Sequence, residues 1–376
     1  MKPIIDPVPV ELLKAELTPS KKLEDTNKGH NELYIVTWQD SPNVVTEIGR
    51  LREFVFRDAG GSTGNEIDLD EYDKMEKPYK QLIVWDPDAE EIIGGYRFIF
   101  GSDAVFDENG QPMLASSHQF RFSQKFIDDY LPYVIELGRN FVVPSKDGKR
   151  SIFALDNLWD GLVAVIMKHP NLLYFFGKIT IYPAYDHISR DLIYHFLWKH
   201  FGDKEELVRP WDDQALMPDS DPELMDLVLN KEDPAEDYLL LKNAAKLRGV
   251  TIPPNMTAYL SVTSQMMMFG TAVNRLMDNI EDTAVLLPFD AIYHEKKQRH
   301  IGAYLRFFHS RKHRKAATAA LTPAKPKAKD KAKAAASAAQ TAAETAAETE
   351  EEMVNAWLAH RNRKVERLLK KIGRKL

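Results

Sequence analysis

Apolar positions along this chain recur with two different periods, and the switches between them predict the elements. From Glu32, ELYIVTW reads as a strand, and SPNVVTEIGRLREFVFRD then places Val44, Ile48, Leu51 and Val55 at helical spacing, with Ser41 as N-cap. A polar loop over 60–80 precedes two apolar runs, QLIVWD and EIIGGYRFIFG, which a PDAE turn joins as a hairpin. A short helix is expected near 123–130, then YVIELGRNFVV as a buried strand, a helix over 151–168, LLYFFGKITIYP as another buried strand, and DHISRDLIYHFLWKHF as a helix. Such strand–helix–strand alternation implies a crossover between parallel strands. Residues 203–235 are acidic and proline-bearing, a surface excursion. DYLLLKNAAKLRG regains helical spacing, with Gly249 placed to cap its end. Two strands in MMMFGTAVNRLMDNIEDTAVLLPFD, turning near Asp278 and Asn279, would close an antiparallel edge. The expected class is α+β with a mixed sheet flanked by helices.

The ends of the chain break the pattern. Residues 1–30 are polar and proline-bearing and read as a loosely packed N-terminal extension; the main domain is expected over 31–310. Over 311–352 the composition collapses to Ala, Lys, Thr and Glu, a low-complexity flexible linker. Residues 353–376 place Val354, Trp357, Leu358, Val365, Leu368, Leu369, Ile372 and Leu376 on one stripe of a basic amphipathic helix. Three readings of that helix stand side by side: an anchor at an anionic membrane surface, a helix docked on the chain's own body, or a contact with a second subunit.

Charge and composition sharpen this picture. Residues 311–376 carry 17 Lys and Arg against 7 Asp and Glu, so the net −6 splits into a body of −16 and a tail of +10. An acidic body argues against a nucleic-acid substrate. The chain has no cysteine, which excludes thiol nucleophiles, disulfides and cysteine-based zinc sites. No apolar run approaches the roughly 20 residues that span a bilayer, and the N-terminus has no signal-peptide core. A cytoplasmic protein is expected, with a peripheral hold on the cytoplasmic face of the inner membrane through the tail.

Four segments taken together, LREFVF at 51–56, DEYD at 70–73, GGYRF at 94–98 and IELGRNFV at 135–142, resemble a family. It is the GNAT-superfamily N-acyltransferases of the hemolysin-like type, which includes the ornithine-lipid and glycine-lipid acyltransferases and, more distantly, the acyl-homoserine-lactone synthases. LDNLWDGLVAVI, YFFGKITI, LRGVTIPPNMTAYL and FGTAVN extend the resemblance over roughly 32–309. It implies a GNAT fold and transfer of a 3-hydroxyacyl or other fatty acyl group, from acyl carrier protein, to the amine of an amino acid, glycine or ornithine. The acyl thioester, on carrier protein or CoA, is then the co-substrate and no cofactor is needed. Two alternatives remain: a non-catalytic binding module on the same fold, and an acyl-homoserine-lactone-type synthase, whose chain would ordinarily lack the 237–309 region and the tail.

Acyl transfer from a thioester to an amine needs a neutral amine, stabilisation of the carbonyl oxygen and a proton for the departing thiolate. Without cysteine, direct attack is the economical route. Glu136, inside an apolar strand run, is the candidate acceptor of the amine proton; the alternative is a structural pair with Arg139. Arg52, Arg97 and Arg139 sit in apolar segments and need acidic partners. Asp70 and Asp73 are the natural ones, and these residues either shape the acceptor site or hold the loop. Tyr185 stands where many GNAT enzymes present a tyrosine that protonates the leaving sulfur, with Tyr182 nearby and packing as the alternative. The pyrophosphate loop of acetyl-CoA users, Q/R-x-x-G-x-G/A, is missing; PSKDGKRSIFALDNLW has one glycine. Lys146, Lys149 and Arg150 there are candidates for docking an acidic carrier protein or its phosphopantetheine. His187 and His195 show no metal-ligand spacing, and no metal is expected.

Overall fold

Burial on both faces explains why the strand runs read as continuously apolar. In the computed structural model, which describes residues 1–144, 153–302, 304–305 and 351–367, the elements run α1 (Val10–Glu16), β1 (Lys22–Asp25), β2 (Glu32–Val36), α2 (Pro42–Ala59), α3 (Glu71–Lys74), β3 (Lys80–Asp86), β4 (Glu91–Phe100), β5 (Phe120–Phe122), α4 (Gln124–Asp129) and β6 (Val134–Val142). There follow α5 (Ala154–Lys168), β7 (Tyr174–Ile181), α6 (His187–Phe201), β8 (Val208–Pro210), α7 (Pro222–Val228), α8 (Pro234–Leu247), α9 (Pro254–Val262), β9 (Met267–Asn274) and β10 (Ile280–Pro288). One eight-stranded sheet has the order β1-β2-β3-β4-β6-β7-β10-β9, and β5 pairs with β8 beside it. β6 and β7 are parallel, joined through α5, as the alternation required. The sheet is mixed and flanked by helices, the expected α+β arrangement.

Two irregularities matter for the site. β6 pairs with β7 only from Val134↔Tyr174 to Glu136↔Phe176, after which the two parallel strands part. Against β4, Gly95 faces Phe141 and Arg97 faces Gly138, so β6 carries a bulge at Arg139 and Asn140. Arg139 takes φ 49°, uncommon for a residue with a side chain. The β9–β10 turn also has positive φ, at Asp278 (49°) and Asn279 (59°), where short polar side chains tolerate that region best. One sheet face packs α5 and α6 through Leu82, Phe98, Leu162, Ile179 and Ile193. By register the other face carries Gln81, Arg97, Glu136, Lys178, Thr180 and Asp282.

Several expectations change. Residues 1–30 are not a loose extension: α1 buries Leu13, β1 pairs with β2, and Leu17 also joins the core packed against α2. The prolines at 3, 7 and 9 and the polar stretch over 18–32 hid this, because α1 itself is short and buries one residue. Ser41 precedes α2 but makes no capping bond. The helix is capped from α1, where Glu16 accepts from the Asn43 and Val44 amides at 3.1 and 2.9 Å. Ser41 instead accepts from Lys21 and donates to Asp40, both at 2.8 Å. The excursion over 203–235 contains β8 and α7 and sinks Leu207 and Leu229 into the core.

For the part described, the tail helix follows one of its three readings, docking on the chain's own body. Residues 351–367 are helical, with Val354 and Val365 buried and Trp357 and Leu358 packed on the main core. Arg361 is fully buried, donates to the Leu172 carbonyl at 2.8 Å and to Asp290, and lies 4.4 Å from the centre of the Phe289 ring. The first half of the apolar stripe is therefore taken up by the chain's own body. Leu368, Leu369, Ile372 and Leu376, and the linker over 311–350, lie outside the described residues. Among the described residues no helix is long and apolar enough to cross a membrane. Arg361→Ala is expected to destabilise the protein by about 1.5–3 kcal/mol, the contribution of hydrogen bonds from a charged group. Urea unfolding checks this; an unchanged midpoint would mean that the helix is not held there in solution.

Candidate functional site

The three arginines and their aspartates come together beneath α2 and β4. Arg52 points inward from α2, fully buried, and donates to both Asp73 oxygens at 3.3 and 3.4 Å and to the Gln81 side-chain oxygen. Arg97 on β4 donates to Asp70 at 2.6 Å and Asp73 at 3.1 Å. Arg139, turned by the bulge, reaches Asp68 at 3.2 Å and Asp70 at 3.6 Å. The D-x-x-D spacing has a local cause: Asp70 caps α3, accepting from the Tyr72 amide, and Asp73 closes the capping box on the Asp70 amide. Burial alone would raise Asp73, but Arg97 and Arg52 hold its carboxyl well below the usual range.

Asp68 was missed in the sequence, although counting charges would have found it. Three guanidiniums in apolar segments need three carboxylates, and IDLDEYD offers Asp68 as the third. Gln81 was also missed. It bridges Arg52 and Asp73, donating to the latter at 2.9 Å.

Glu136 does not pair with Arg139. It is 4 % exposed, at the last register pair before β6 and β7 part. One oxygen accepts from the Ser116 amide at 3.0 Å and the other from the Tyr79 hydroxyl, which itself accepts from the Ala115 amide at 2.7 Å. Burial and the neighbouring Glu136 charge push the Tyr79 phenol up, so it stays protonated as a donor. The Ser116 hydroxyl is buried with no partner among the described residues. Neither Tyr79 nor Ser116 carries a sequence signal, since they lie 57 and 20 residues from Glu136.

Glu136 lines a cavity of about 740 Å³ where the two strands diverge. Its walls include Gly138 and Arg139 from β6, Lys178 and Thr180 from β7, Asp70, Arg97, and Tyr182 and Tyr185 beyond β7. A side chain at Gly138 would meet nothing within 4 Å, so the strand backbone itself faces open space. Tyr185 is half-buried, its phenol pushed up to about 12 by burial and Asp186, and its hydroxyl donates to the Thr251 carbonyl at 2.7 Å. The far wall carries a separate polar cluster, in which Lys178, Thr180 and Gln119 surround Asp282. Lys146, Lys149 and Arg150 lie outside the described residues. Chemically, the cavity joins a buried carboxylate to a strand edge with space for an extended thioester.

Comparisons with known proteins give the chain its family. Residues 51–157 match the acetyltransferase (GNAT) domain family, a span that contains Arg52, the aspartates and Glu136. The chain is 48% identical over 310 residues to a glycine N(alpha)-acyltransferase of Phocaeicola vulgatus, covering 81% of this chain and 94% of that protein. It is 52% identical over 309 residues to a glycine N(alpha)-acyltransferase of Bacteroides thetaiotaomicron, covering 81% and 91%. The solved structures of the AHL synthase LasI and of the CoA-dependent acyl-homoserine lactone synthase BjaI are slight likenesses. The first has 13% identity, covers 40% of this chain and 72% of that one, and has a TM-score of 0.27. The second has 11%, 70% and 83%, with a TM-score of 0.30. The extent and identity of the two sequence relatives decide the matter: this chain belongs with them to the GNAT family of acyltransferases.

Proposed function

We propose that the protein moves a fatty acyl group, a 3-hydroxyacyl chain first among them, from acyl carrier protein to the amine of an amino acid, making an amino-acid lipid. Glycine is the leading acceptor and ornithine the second. The observation that carries this reading is identity of about one half to the two glycine N(alpha)-acyltransferases, across nine-tenths of their length.

The site supplies a chemical route. The amine, entering as the free base, attacks the thioester carbonyl carbon while Glu136 takes the proton its nitrogen loses as the C–N bond forms, and the tetrahedral intermediate collapses with cleavage of the C–S bond. The proton gained by Glu136 balances the one the departing thiolate needs, and Tyr185, protonated at neutral pH, is a candidate donor on the cavity wall once its hydroxyl turns from the Thr251 carbonyl that accepts it here. Two donors fix the Glu136 carboxylate, which lowers the reorganisation required at the moment of transfer. A carrier-protein donor is supported by the missing pyrophosphate loop and by the basic Lys146, Lys149 and Arg150.

Purified protein given 3-hydroxyacyl carrier protein and a panel of amino acids is expected to release free carrier thiol and form an N-acyl amino acid, read by mass spectrometry. Turnover with acetyl-CoA alone would defeat the carrier-protein reading.

A further inference from the structure

The cavity has a second charged pole that no step above uses. Asp282 on β10 is 1 % exposed and accepts from Thr180 at 2.6 Å, Lys178 at 2.7 Å, Gln119 at 3.1 Å and Asn274 at 3.4 Å. Burial works against its charge, but Lys178 and these donors outweigh it and keep the carboxyl ionised. The Lys178 ammonium has a second acceptor, the Gln119 side-chain oxygen at 2.7 Å. With three N–H groups and two acceptors among the described residues, it keeps one donor, and its side chain is 23% exposed where it lines the cavity.

Its place relative to Glu136 is set by the sheet. Phe176 is the register partner of Glu136, and Lys178 lies two residues further along β7 on the same face. Two residues of strand advance about 7 Å, so the two side chains reach the cavity from adjacent strands at a spacing that a small molecule bridges. The three arginines pair with Asp68, Asp70 and Asp73 on the β4 and β6 side of the cavity, where Arg97 Nε and Arg139 Nε are buried without a partner among the described residues, while Lys178 brings a spare donor to the β7 wall with part of its side chain exposed.

From this we propose that Lys178, fixed by Asp282 and Gln119, binds the carboxylate of the acceptor amino acid while Glu136 faces its amine. The proposal rests on an amino acid being the acceptor. It adds that selection for a free α-carboxylate resides in β7 and β10, on the opposite side of the strand parting from the arginine cluster. An ammonium donating to a carboxylate is a charge-assisted bond, and one already held by two protein acceptors is pre-organised for it.

The test compares glycine with glycinamide, which keeps the amine and loses the carboxylate charge, using a 3-hydroxyacyl carrier protein as donor. Unaltered protein is expected to favour glycine in kcat/KM. In Lys178→Met the ratio of glycine to glycinamide is expected to fall at least about tenfold, the loss of one charged hydrogen bond, mainly through a higher KM for glycine; Lys178→Arg should restore part of it. Because Lys178→Met strands a buried carboxylate, Lys178→Met with Asp282→Asn provides a neutral version of the pair and is expected to show the same loss of discrimination. An unchanged ratio in folded variants overturns the carboxylate site alone. Failure of the unaltered protein to acylate any amino acid overturns the functional reading and this proposal with it.

Discussion

Glu136→Gln is expected to lower kcat by on the order of 10²-fold or more while leaving the protein folded, because a positioned general base contributes about 10²–10⁴-fold to such a step. The substitution keeps the shape of the side chain and its ability to accept from Tyr79 and the Ser116 amide, so the surrounding bonds survive. What it removes is the capacity to take up the amine proton. Partial rescue at higher pH is the accompanying expectation, since more of the acceptor then enters as the free amine. Rate measurements with saturating acyl thioester, alongside circular dichroism and thermal unfolding, separate the two effects. A folded variant with near-normal turnover would make Glu136 a structural carboxylate, and the amine would have to lose its proton elsewhere.

The largest loss of stability is expected at the arginine cluster. Arg52→Ala leaves Asp73, which has no exposed side-chain surface, with one guanidinium partner instead of two. Breaking a buried pair from one side costs about 3–5 kcal/mol, a large fraction of the stability of most domains. Asp73→Asn should cost a comparable amount, because it leaves the fully buried Arg52 guanidinium without its carboxylate partner, while Arg97 keeps Asp70. The pH dependence follows from the depressed pKa of Asp73. Its contribution is fully present above the ordinary unfolded carboxylate value of about 3.9 and is lost as pH falls below it toward the folded value. Acid unfolding of the unaltered protein should be steep in that window, and Asp73→Asn should flatten it. Urea midpoints for Arg52→Ala within experimental error of the unaltered protein would show that the cluster does not hold the loop carrying Asp68 to Asp73.

The sequence is most legible where local rules dominate. The 3.6-residue spacing of α2, α5, α6 and α8 follows from one buried face per helix, and the apolar runs of β3, β4, β6, β7 and β10 follow from helices or loops covering both sheet faces. Charged residues inside apolar runs are equally informative, because an arginine or glutamate there is expensive unless paired. That cost singles out Arg52, Arg97, Glu136 and Arg139 before any contact is known. The resemblance across residues 32–309 supplies the chemistry that these positions suggest.

The partners are a different matter. Glu136 and Arg139, three residues apart, look like a pair, but the bulge on β6 turns Arg139 to Asp68 and Asp70 and leaves Glu136 to Tyr79 and Ser116. A bulge depends on the neighbouring strand's register, which no local pattern records. Lys178 is merely an interruption in a buried strand until Asp282, 104 residues later, stands beside it. The tail helix is correctly periodic, yet its stripe is equally suited to lipid or protein, and only the position of Asp290 and the Leu172 carbonyl around Arg361 places its first half on the body. By itself, then, the sequence determined the helices and strands, the α+β class and the charges that must be satisfied, since these depend on periodicity and on the cost of burying charge. Which charges meet, where β6 and β7 part, and how the cavity opens between them were decided only by the tertiary structure, because each is a contact between segments that the chain brings together only by folding.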